Sequence, residues 1–473
     1  MCMHVTLQRG SSYISSHAGM HIVNGMISNL DICSFSFLND MSHTSRWISN
    51  GSIIKATILL QCLGETNYQD IANLNSDVLF SNILGQSISP ETLRQRLNQI
   101  SEQKSFFDIL DSSNTTLLKH ASFSHVTFNG EEYIPLDIDV TPFINPNVHK
   151  EGVECTYKKE DGFAPIMAYL GSYALCFELR PGSQHSENGA LEFVSRCFKI
   201  IKQLNLDLSK ILVRLDSAHD AGDLIKLLDK FGVKYLIKRN LRGESHSDII
   251  VQAKLEASPM VSSNLRDMLY RIASPDTKPT NAPESAAFAI YEIADPIRDD
   301  KGYDPYSLIR ITDPNNANYG KDGIPYEVSS WWTNLTPYTS ANPIISKDRE
   351  FVSEVIDLYK DHATSEQYHS EIKTDMSMEL LPSHYFDTNK AYLGLAVISF
   401  NILRLIGDKA LKINNFFQHH KQKHIQRIRV CTVIKKLINI PCKIVMHARK
   451  IIMQLTKDAP IFDTFSKIFQ IWC

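Results

Sequence analysis

The stretch YIPLDIDVT, residues 133–141, decides the fold that this chain of 473 residues predicts. Apolar and polar side chains alternate along it with a period of two residues, which is typical of a β-strand with one buried face. Asp137, Asp139 and Thr141 share the polar face. The side chains on the apolar face are Ile134, Leu136, Ile138 and Val140. The stretch therefore predicts a core strand that carries two carboxylates on the same side.

Further strand and helix patterns follow this strand along the chain. In order, they are strands 163–170 and 173–180 around a turn at Gly171-Ser172, a helix capped by Ser186, the strand KILVRLD (210–216), a helix near 221–231 and the strand VKYLIKR (233–239). The order strand, strand, strand, helix, strand, helix, strand is that of a ribonuclease-H-like core in an α/β protein. The first and fourth strands of such a sheet are neighbours, so we expect Asp216 to lie beside Asp137 and Asp139.

A last helix is needed to complete this topology, and YKDHATSEQYHSEIK (359–373) predicts it. Tyr359, His362, Glu366 and Lys373 lie at offsets of 0, 3, 7 and 14 residues. On a helix these offsets fall within a sector of about 60°. A solvated helix face with mixed charge gives the same pattern, so the spacing alone does not assign a function.

The patterns divide the chain into five segments. They are a helical N-terminal region (1–125), the first part of the core (126–240), an inserted mostly-β subdomain (241–350), the last core helices (351–408) and a basic helical C-terminal tail (409–473). The insertion contains two strand-like runs, AAFAIYEIA and YSLIRIT, and is too long for a plain loop. The apolar run AYLGLAVISFNILRLI (391–406) contains Asn401 and Arg404, and it predicts a buried core helix rather than a membrane span.

The N-terminal region contains a well-marked helix over 87–100. Ser89 is its expected cap and Pro90 fits its first turn, where a missing N–H is tolerated. The helix would expose Arg94, and with a short helix around 66–74 it would form a helix-turn-helix that binds DNA. A plain helical bundle fits the same pattern equally well.

Charge is distributed unevenly along the chain. The net charge is −3, but residues 409–455 carry eleven Lys or Arg, four His and no Asp or Glu. Such a segment suggests a polyanionic partner, and we favour DNA or subunit pairing over a membrane surface. The nine cysteines show neither C-x-x-C nor zinc-ligand spacing, which predicts reduced thiols in a cytoplasmic protein.

Acidic groups on two adjacent strands and one facing helix would form a cage for divalent cations. Mg²⁺ takes oxygen ligands, and a pair of such ions roughly 3.5–4 Å apart activates a water or a 3′-hydroxyl against a phosphodiester. Carboxylates held this close repel one another without metal, which argues against their being placed together for no purpose.

Four motifs carry a family resemblance. LDIDVTPF (136–143), FELRPGSQHSENGALEF (177–193), ILVRLDS (211–217) and the stretch 359–373 resemble the motifs of bacterial insertion-sequence transposases with an Asp-Asp-Glu core. More narrowly, they resemble DDE-domain group 1, the IS-thirteen-eighty type, with its Tyr-x2-Arg-x3-Glu-x6-Lys signature. The resemblance implies a cut-and-paste DNA transposase that acts on the terminal inverted repeats of its own element and on target DNA. It also implies a homodimer, two Mg²⁺ or Mn²⁺ ions, and residence on nucleoid DNA in the cytoplasm.

The resemblance assigns the catalytic acids by position. Asp139 matches the first acid because Thr141 follows it by two residues, and Asp137 is the alternative first acid and a further metal ligand. Asp216 matches the second acid and Glu366 the third. All three, with Asp137, are the expected metal ligands.

Further positions match residues that contact DNA. Tyr359 and Lys373 match residues that contact phosphates near the active site. His362 stands where the family has Arg, and its loss of a bidentate phosphate grip raises an alternative. The alternative is a catalytically weakened or domesticated transposase that acts as a DNA-binding protein.

Two remaining features have a structural and a functional interpretation each. In similar transposases an aromatic at the position of Trp331 or Trp332 holds a flipped base, although buried packing fits equally. The loop RPGSQHSENG would meet a phosphate through Arg180 or backbone N–H groups, although a structural turn fits at least as well.

Overall fold

The computed structural model describes residues 10, 12–32, 48–240, 287–292, 306–311, 328–335, 354–355, 357–413, 426–448, 450–456, 459 and 461–473. The described chain is a mixed α/β protein. A large mixed sheet of nine strands forms its centre.

The N-terminal region begins with a short strand and continues as a helical bundle. Its elements are β1 (Tyr13–Ser15), α1 (Met20–Asn29), α2 (Asn50–Cys62), α3 (Asp70–Leu74), α4 (Val78–Leu84), α5 (Pro90–Ser101) and α6 (Lys104–Leu118). Ser89 caps α5 by accepting a hydrogen bond from the Thr92 amide, and Pro90 occupies its first turn, as predicted. Helix α4 intervenes between α3 and α5, so those two helices are not joined by the single turn of a helix-turn-helix.

The central sheet is built from strands of the predicted core and of the insertion. In chain order, the elements are β2 (Val126–Phe128), β3 (Glu131–Val140), β4 (Phe143–Ile144), β5 (Glu154–Cys155), β6 (Asp161–Phe163), β7 (Ile166–Leu170), β8 (Tyr173–Glu178), α7 (Ala190–Gln203), β9 (Ile211–Leu215), α8 (Gly222–Phe231), β10 (Lys234–Lys238), β11 (Ala287–Glu292), β12 (Tyr306–Ile311) and β13 (Val328–Thr333). The strand order is β11-β12-β13-β10-β9-β3-β7-β8, and β2 pairs with β3.

Pairing directions place the acids of the core at one end of this sheet. β3 pairs parallel with β9, and β9 pairs parallel with β10. β7 and β8 form the antiparallel hairpin that the sequence predicts, with Gly171 in the left-handed region at its turn. The first and fourth core strands are therefore neighbours, as the sequence predicts.

The described strands of the insertion continue the central sheet. β13 pairs antiparallel with β10, and β12 and β11 follow outward. β11 and β12 correspond to the two strand-like runs of the sequence. The remaining residues of 241–350 lie outside the described part of the chain.

A small second sheet stands at the end of β3. Its order is β4-β6-β5, and the Thr141 amide donates to the Pro165 carbonyl where the two sheets meet. The turn between β5 and β6 is closed by Thr156, whose amide and hydroxyl both donate to the Glu160 carbonyl at 2.9 Å. Its tip consists of exposed residues 157–159.

The second half of the chain contains the helical segment that carries Glu366, the third predicted acid. A 3₁₀ turn (Asp361–Ala363), helix α9 (Thr364–Ser370) and a π turn (Glu371–Asp375) follow one another without a break. Helix α10 (Phe386–Ile413) comes next. A π turn inside a helical run is rare and is frequently found at functional sites.

Helix α10 is the buried core helix that the run 391–406 predicts. Among the described helices it alone is long and apolar enough to cross a membrane, and 94% of its apolar window is buried within the protein. Two of its buried polar residues bind carbonyls within the protein: Asn401 donates to the Ala174 carbonyl at 2.8 Å and Arg404 to the Ile428 carbonyl at 2.8 Å.

The C-terminal tail is only partly helical, which corrects the expectation of a helical tail. Helix α11 (Val430–Val433) runs into a π turn (Ile434–Ile438), but β14 (Cys442–His447) and β15 (Lys450–Gln454) form a hairpin before α12 (Phe462–Trp472). β-Branched Ile and Val suit these strands, although basic residues interrupt them. The boundary expected at residue 408 falls inside α10, and the basic residues 414–425 lie outside the described part of the chain.

The two ends of the described chain are joined. β1 pairs antiparallel with β14, with Ser15 opposite Cys442. Helix α1 touches the tail so closely that a Cβ on Gly19 would lie 2.1 Å from the Leu437 carbonyl oxygen. A Cβ on Gly25 would lie 2.2 Å from the Trp472 carbonyl oxygen. The tail is therefore part of the N-terminal bundle.

Candidate active site

Asp139 and Asp216 lie side by side at the same end of the sheet. The register of β3 and β9 pairs Ile138 with Leu215, so each acid is one residue beyond that pair. Adjacent strands are separated by about 4.8 Å, which brings the two carboxylates into the same region. The neighbourhood follows from the parallel pairing of two strands that each end in an acid.

Asp139 is half-enclosed by histidines. Its Oδ1 accepts a hydrogen bond from the Val140 amide at 2.7 Å, and its Oδ2 lies 3.5 Å from Nε2 of His369. Burial raises the pKa of Asp139, but His369, with His362 and His219 farther away, outweighs burial and holds the pKa below its usual range. Asp139 is therefore a carboxylate at neutral pH, and 23% of its side chain is exposed.

Asp216 is the more open of the two acids. Its Oδ1 takes both of its hydrogen bonds, from the Ala218 amide at 3.1 Å and from Nδ1 of His219 at 2.8 Å. Its side chain is 39% exposed, and Oδ2 remains for a ligand. His219 is buried, and its Nε2 has no hydrogen-bond partner among the described residues.

Asp137, two residues before Asp139, is closed off. Both of its oxygens receive the guanidinium of Arg214, with Nε and Nη2 at 2.6 Å, and Oδ1 also lies 2.9 Å from Nδ1 of His362. Burial raises the pKa of Asp137, but Arg214 and His362 lower it below its usual range. Both oxygens are thus occupied by protein donors, and this geometry argues against Asp137 as a metal ligand or as the first catalytic acid.

Glu366 lies in the first turn of α9 and is exposed. Its link to the two aspartates is Tyr157, at the tip between β5 and β6. Burial and then the negative charges of Asp139, Asp216 and Glu366 raise the pKa of the Tyr157 phenol. The ring is 66% exposed, so it stands at the surface with all three carboxylates within electrostatic reach. Tyr157 is therefore a common neighbour of the three predicted acids.

Tyr157 is a residue that the sequence reasoning missed. Its strands β5 and β6 have two and three residues, which is too short for a periodic pattern. The available signal was an aromatic followed by Lys158 and Lys159 in a turn, because that combination suits the backbone and bases of a nucleic acid.

The other members of the aligned helix face turn toward the protein. His362 is buried on Asp137 and does not present its ring to the surface. Lys373 donates to the Pro142 carbonyl at 2.7 Å and lies 3.0 Å from Glu379. Tyr359 is half-buried, and burial followed by the charges of Asp216, Asp139 and Asp137 raises its pKa.

The remaining predicted DNA contacts are Trp331, Trp332, Arg180 and Arg94, and their surroundings differ. Trp331 is 4% exposed and packs its ring edge-on against Tyr359 at 5.8 Å, which agrees with the packing interpretation. Trp332 is half-buried, donates to Asp220 at 2.9 Å and stacks under Arg239. Arg180 is buried and paired with Glu178 at 2.7 Å.

Arg94 lies in the N-terminal bundle, on α5. It forms a two-pronged contact with Glu91 on the same helix, at 2.6 and 2.9 Å. Its side chain is 43% exposed, so this predicted DNA contact presents its positive charge at the surface of the bundle.

The donor chemistry of the site fits a hard divalent cation. Asp139, Asp216 and Glu366 offer carboxylate oxygens, which Mg²⁺ and Mn²⁺ prefer. In the described part of the chain, no three His, Cys, Asp or Glu side chains are already close enough to hold one ion. The exposed Glu366 would have to turn toward the aspartates on binding.

Comparison with known proteins gives a family for the chain. The family model described as "Transposase DDE domain group 1" matches residues 3–260, more than half of the sequence. Among solved structures, the piggyBac transposase synaptic complex with hairpin DNA is similar with a TM-score of 0.40 and 10% identity, over 81% of this chain and 72% of that chain. Similarity at this level supports no conclusion, and no curated protein matches. From the family match, which spans Asp139 and Asp216, the chain belongs to the DDE-domain group 1 family of transposases.

Proposed function

We propose that the protein is a DNA transposase that cuts and joins phosphodiesters with Asp139, Asp216 and Glu366. The observation that carries the proposal is the placement of Asp139 and Asp216, each one residue beyond the last pair of two neighbouring parallel strands. The two aspartates end neighbouring parallel strands, and the glutamate comes from a helix far along the chain. Family membership supports the same chemistry.

The domain layout of the proposal follows from the strand order. Strands β3, β7, β8, β9 and β10 with helices α7, α8 and α9 form a ribonuclease-H-like catalytic core. The N-terminal bundle and the C-terminal hairpin form a second unit, since β1 pairs with β14. Arg94 on this unit and the basic residues of the tail supply positive charge for the DNA backbone.

Each acid has a role that its surroundings support. Two Mg²⁺ or Mn²⁺ ions, when bound, supply activation of a water or 3′-hydroxyl and stabilisation of the leaving oxygen. Asp139 and Asp216 remain ionised and offer oxygens from a rigid sheet. His369 and His219 orient them from behind through their ring nitrogens. Glu366 would add a third carboxylate once its exposed side chain turns toward the aspartates.

The DNA substrate is positioned by the tip between β5 and β6. Tyr157 offers an exposed ring beside the acids, on which an unpaired base can stack. Lys158 and Lys159 are exposed and extend positive charge toward the backbone. The substrates in this proposal are the terminal inverted repeats of the protein's own element and the target DNA on the nucleoid, and the active form is a homodimer.

The test is cleavage of a labelled duplex that carries the terminal repeat, with Mg²⁺ or Mn²⁺. The repeat is read from the DNA that flanks the coding region. Wild-type protein is expected to cut at the repeat end, and Asp216→Asn and Glu366→Gln are expected to abolish cutting. If both variants cut as well as wild type, the assignment of the acids is wrong.

A second candidate function is a transposase that binds DNA without cutting it. The observation that favours it is His362, which replaces a phosphate-gripping Arg of the family pattern and points into the protein. This candidate predicts a specific mobility shift with the terminal repeat and no cleavage at any divalent-ion concentration. Cleavage by the wild-type protein would exclude it.

A further inference from the structure

A buried layer of charge lies directly beneath the proposed catalytic acids. Asp137 and Arg214 are cross-strand partners on β3 and β9. They are each two residues before Asp139 and Asp216, so they share the same face of the same strands. Their side chains are only 1% and 2% exposed, and two hydrogen bonds of 2.6 Å join them.

Arg214 also reaches across to the segment that carries the third acid. Its Nη1 donates to the Leu358 carbonyl at 2.8 Å and to Asp361 Oδ2 at 2.9 Å. These acceptors flank the start of the 3₁₀ turn that leads into α9. The planar guanidinium therefore connects β9, β3 and the approach to Glu366 with a single side chain.

His362 makes a second connection between the same parts. Its Nδ1 lies 2.9 Å from Asp137 Oδ1, and it is one residue from Asp361 in the same 3₁₀ turn. His362 is thus four residues before Glu366, about one helical turn, with its ring fixed against the central strand.

A buried ion pair is a poor device for stability alone. Desolvation of the two charges offsets their attraction, and well-packed apolar replacements are often neutral or stabilising. Directional bonds from one guanidinium to two other segments do fix geometry, because each acceptor must lie in the plane and along the fork of donors.

From this arrangement we propose that Arg214 and His362 are positioning residues, which hold the helix of Glu366 in register with the strands of Asp139 and Asp216. We call Asp137, Arg214 and His362 the clamp. The inference rests on the proposed function, because it assigns the clamp to the geometry of the three acids. In this proposal His362 positions the helix of Glu366 instead of contacting a phosphate of the DNA.

The decisive variant replaces both charges by apolar side chains of similar size, Asp137→Leu with Arg214→Met in one protein. No buried charge is left unpaired, since Asp361, which also loses Arg214, is 53% exposed, so the full-length variant should fold with a circular dichroism spectrum like that of wild type. Mn²⁺ binding is measured by electron paramagnetic resonance without DNA. The dissociation constant is expected to rise about 10–100-fold, as for outer-shell partners of metal ligands.

Arg214→Lys is the backup if the double variant fails to fold. It keeps the positive charge but loses the planar fork, so Mn²⁺ binding is expected to weaken while folding is retained. Mn²⁺ affinity equal to that of wild type, in whichever of these variants folds, would overturn the role of Arg214.

A pair of variants at His362 tests the second connection. His362→Asn places an amide N–H near the position of Nδ1 and is expected to keep wild-type Mn²⁺ affinity. His362→Leu removes the donor and is expected to weaken Mn²⁺ binding. Equal affinity in the two variants would show that the ring only fills space and would overturn its positioning role.

The same measurements separate this inference from the proposed function. If the wild-type protein cuts the terminal repeat and the clamp variants bind Mn²⁺ and cut equally well, the positioning role of the clamp is wrong. The proposed transposase function then still stands. If the wild-type protein neither binds Mn²⁺ nor cuts, the proposed function is wrong. The positioning role of the clamp, which depends on that function, is then wrong as well.

Discussion

Two pairs of side chains along β3 and β9 lie one step apart and have opposite characters. Asp137 faces Arg214 and is closed, while Asp139 and Asp216 each lie one residue beyond the last cross-strand pair, Ile138 with Leu215, and are open. The exposed side-chain fractions are 1% and 2% in the first pair, and 23% and 39% in the second. The residue type of the first member is the same in both pairs. What differs is the residue that the neighbouring strand places beside it.

This difference shows how one strand can carry a structural and a functional carboxylate side by side. An acid that faces a buried arginine is neutralised by it and has a structural role. The acids Asp139 and Asp216 are contacted by histidines from behind and remain partly exposed, so a cation can reach them. Each prediction below changes one side of this contrast.

The largest effect is expected on breaking the closed pair. Arg214→Ala should reduce the free energy of unfolding by about 3–5 kcal/mol, because it leaves the Asp137 carboxylate buried without its partner. Urea unfolding of the full chain measures it. Arg94→Ala is the matched control, since its pair with Glu91 is exposed and should change the free energy of unfolding far less. Equal losses in the two variants would contradict the contrast.

The open pair is expected to respond in activity and not in stability. Asp216→Asn should lower the cleavage rate of the terminal repeat by more than about a hundredfold, because it removes a charged oxygen ligand. Its free energy of unfolding should change by no more than about 0.5 kcal/mol, since the side chain is 39% exposed and Asn keeps an oxygen for the Ala218 amide. Glu132→Gln, an exposed acid at the other end of β3, serves as the control and should cut normally.

Position 362 sharpens the contrast from the side of the helix. His362→Arg restores the family residue, but a second guanidinium beside Arg214 would overpack the clamp. We expect a loss of about 1–3 kcal/mol in the free energy of unfolding and no gain in cleavage. A gain of cleavage would mean that position 362 serves the DNA and that the buried ring is not needed.

A smaller effect is expected from Tyr157, whose exposed ring lies near Asp139 and Asp216. Tyr157→Ala is expected to weaken binding of a repeat end with unpaired bases by about 1–2 kcal/mol, since one stacking surface is lost. Tyr157→Phe keeps the ring and should bind like wild type, which separates stacking from the phenol hydroxyl. Fluorescence anisotropy with a labelled end measures both, and equal weakening by the two variants would assign the effect to the hydroxyl.

The smallest effect is expected in the pH dependence of stability. The folded pKa of Asp137 is lowered, so its contribution is fully present above the unfolded value of about 3.9 and is lost as pH falls through the folded pKa. The stability difference between wild type and Asp137→Asn should thus be constant from about pH 7 to about pH 5 and shrink below about pH 4. A difference that grows toward acid would contradict the lowered pKa.

The strand order and the neighbourhood of the two aspartates could be predicted because they depend on periodicity and chain order. A period of two marks β3, and parallel pairing of the first and fourth strands brings Asp216 to Asp139. Which aspartate is neutralised could not be predicted, because that requires the register that puts Arg214 opposite Asp137.

Other parts of the site depend on contacts that no local pattern encodes. The stripe of the helix 359–373 predicts one shared direction for His362 and Lys373. In the structure, the 3₁₀ turn and the π turn depart from the regular helical spacing, and both side chains bind protein groups. In the tail, basic residues hide the alternation of β14 and β15, which pair with each other, and β1 from the N-terminal region adds a third strand beside β14.

The pairing of β1 with β14 has a consequence for biosynthesis. More than four hundred residues separate Ser15 from Cys442, so a ribosome moving at about 5–20 residues per second needs roughly 20–90 s between them. During that interval the nascent helix α1 waits with Gly19 and Gly25 uncovered, although the central sheet has already emerged. We expect the core to mature first and the amino-terminal bundle to close last, which makes the bundle the part of the newborn chain most dependent on chaperones.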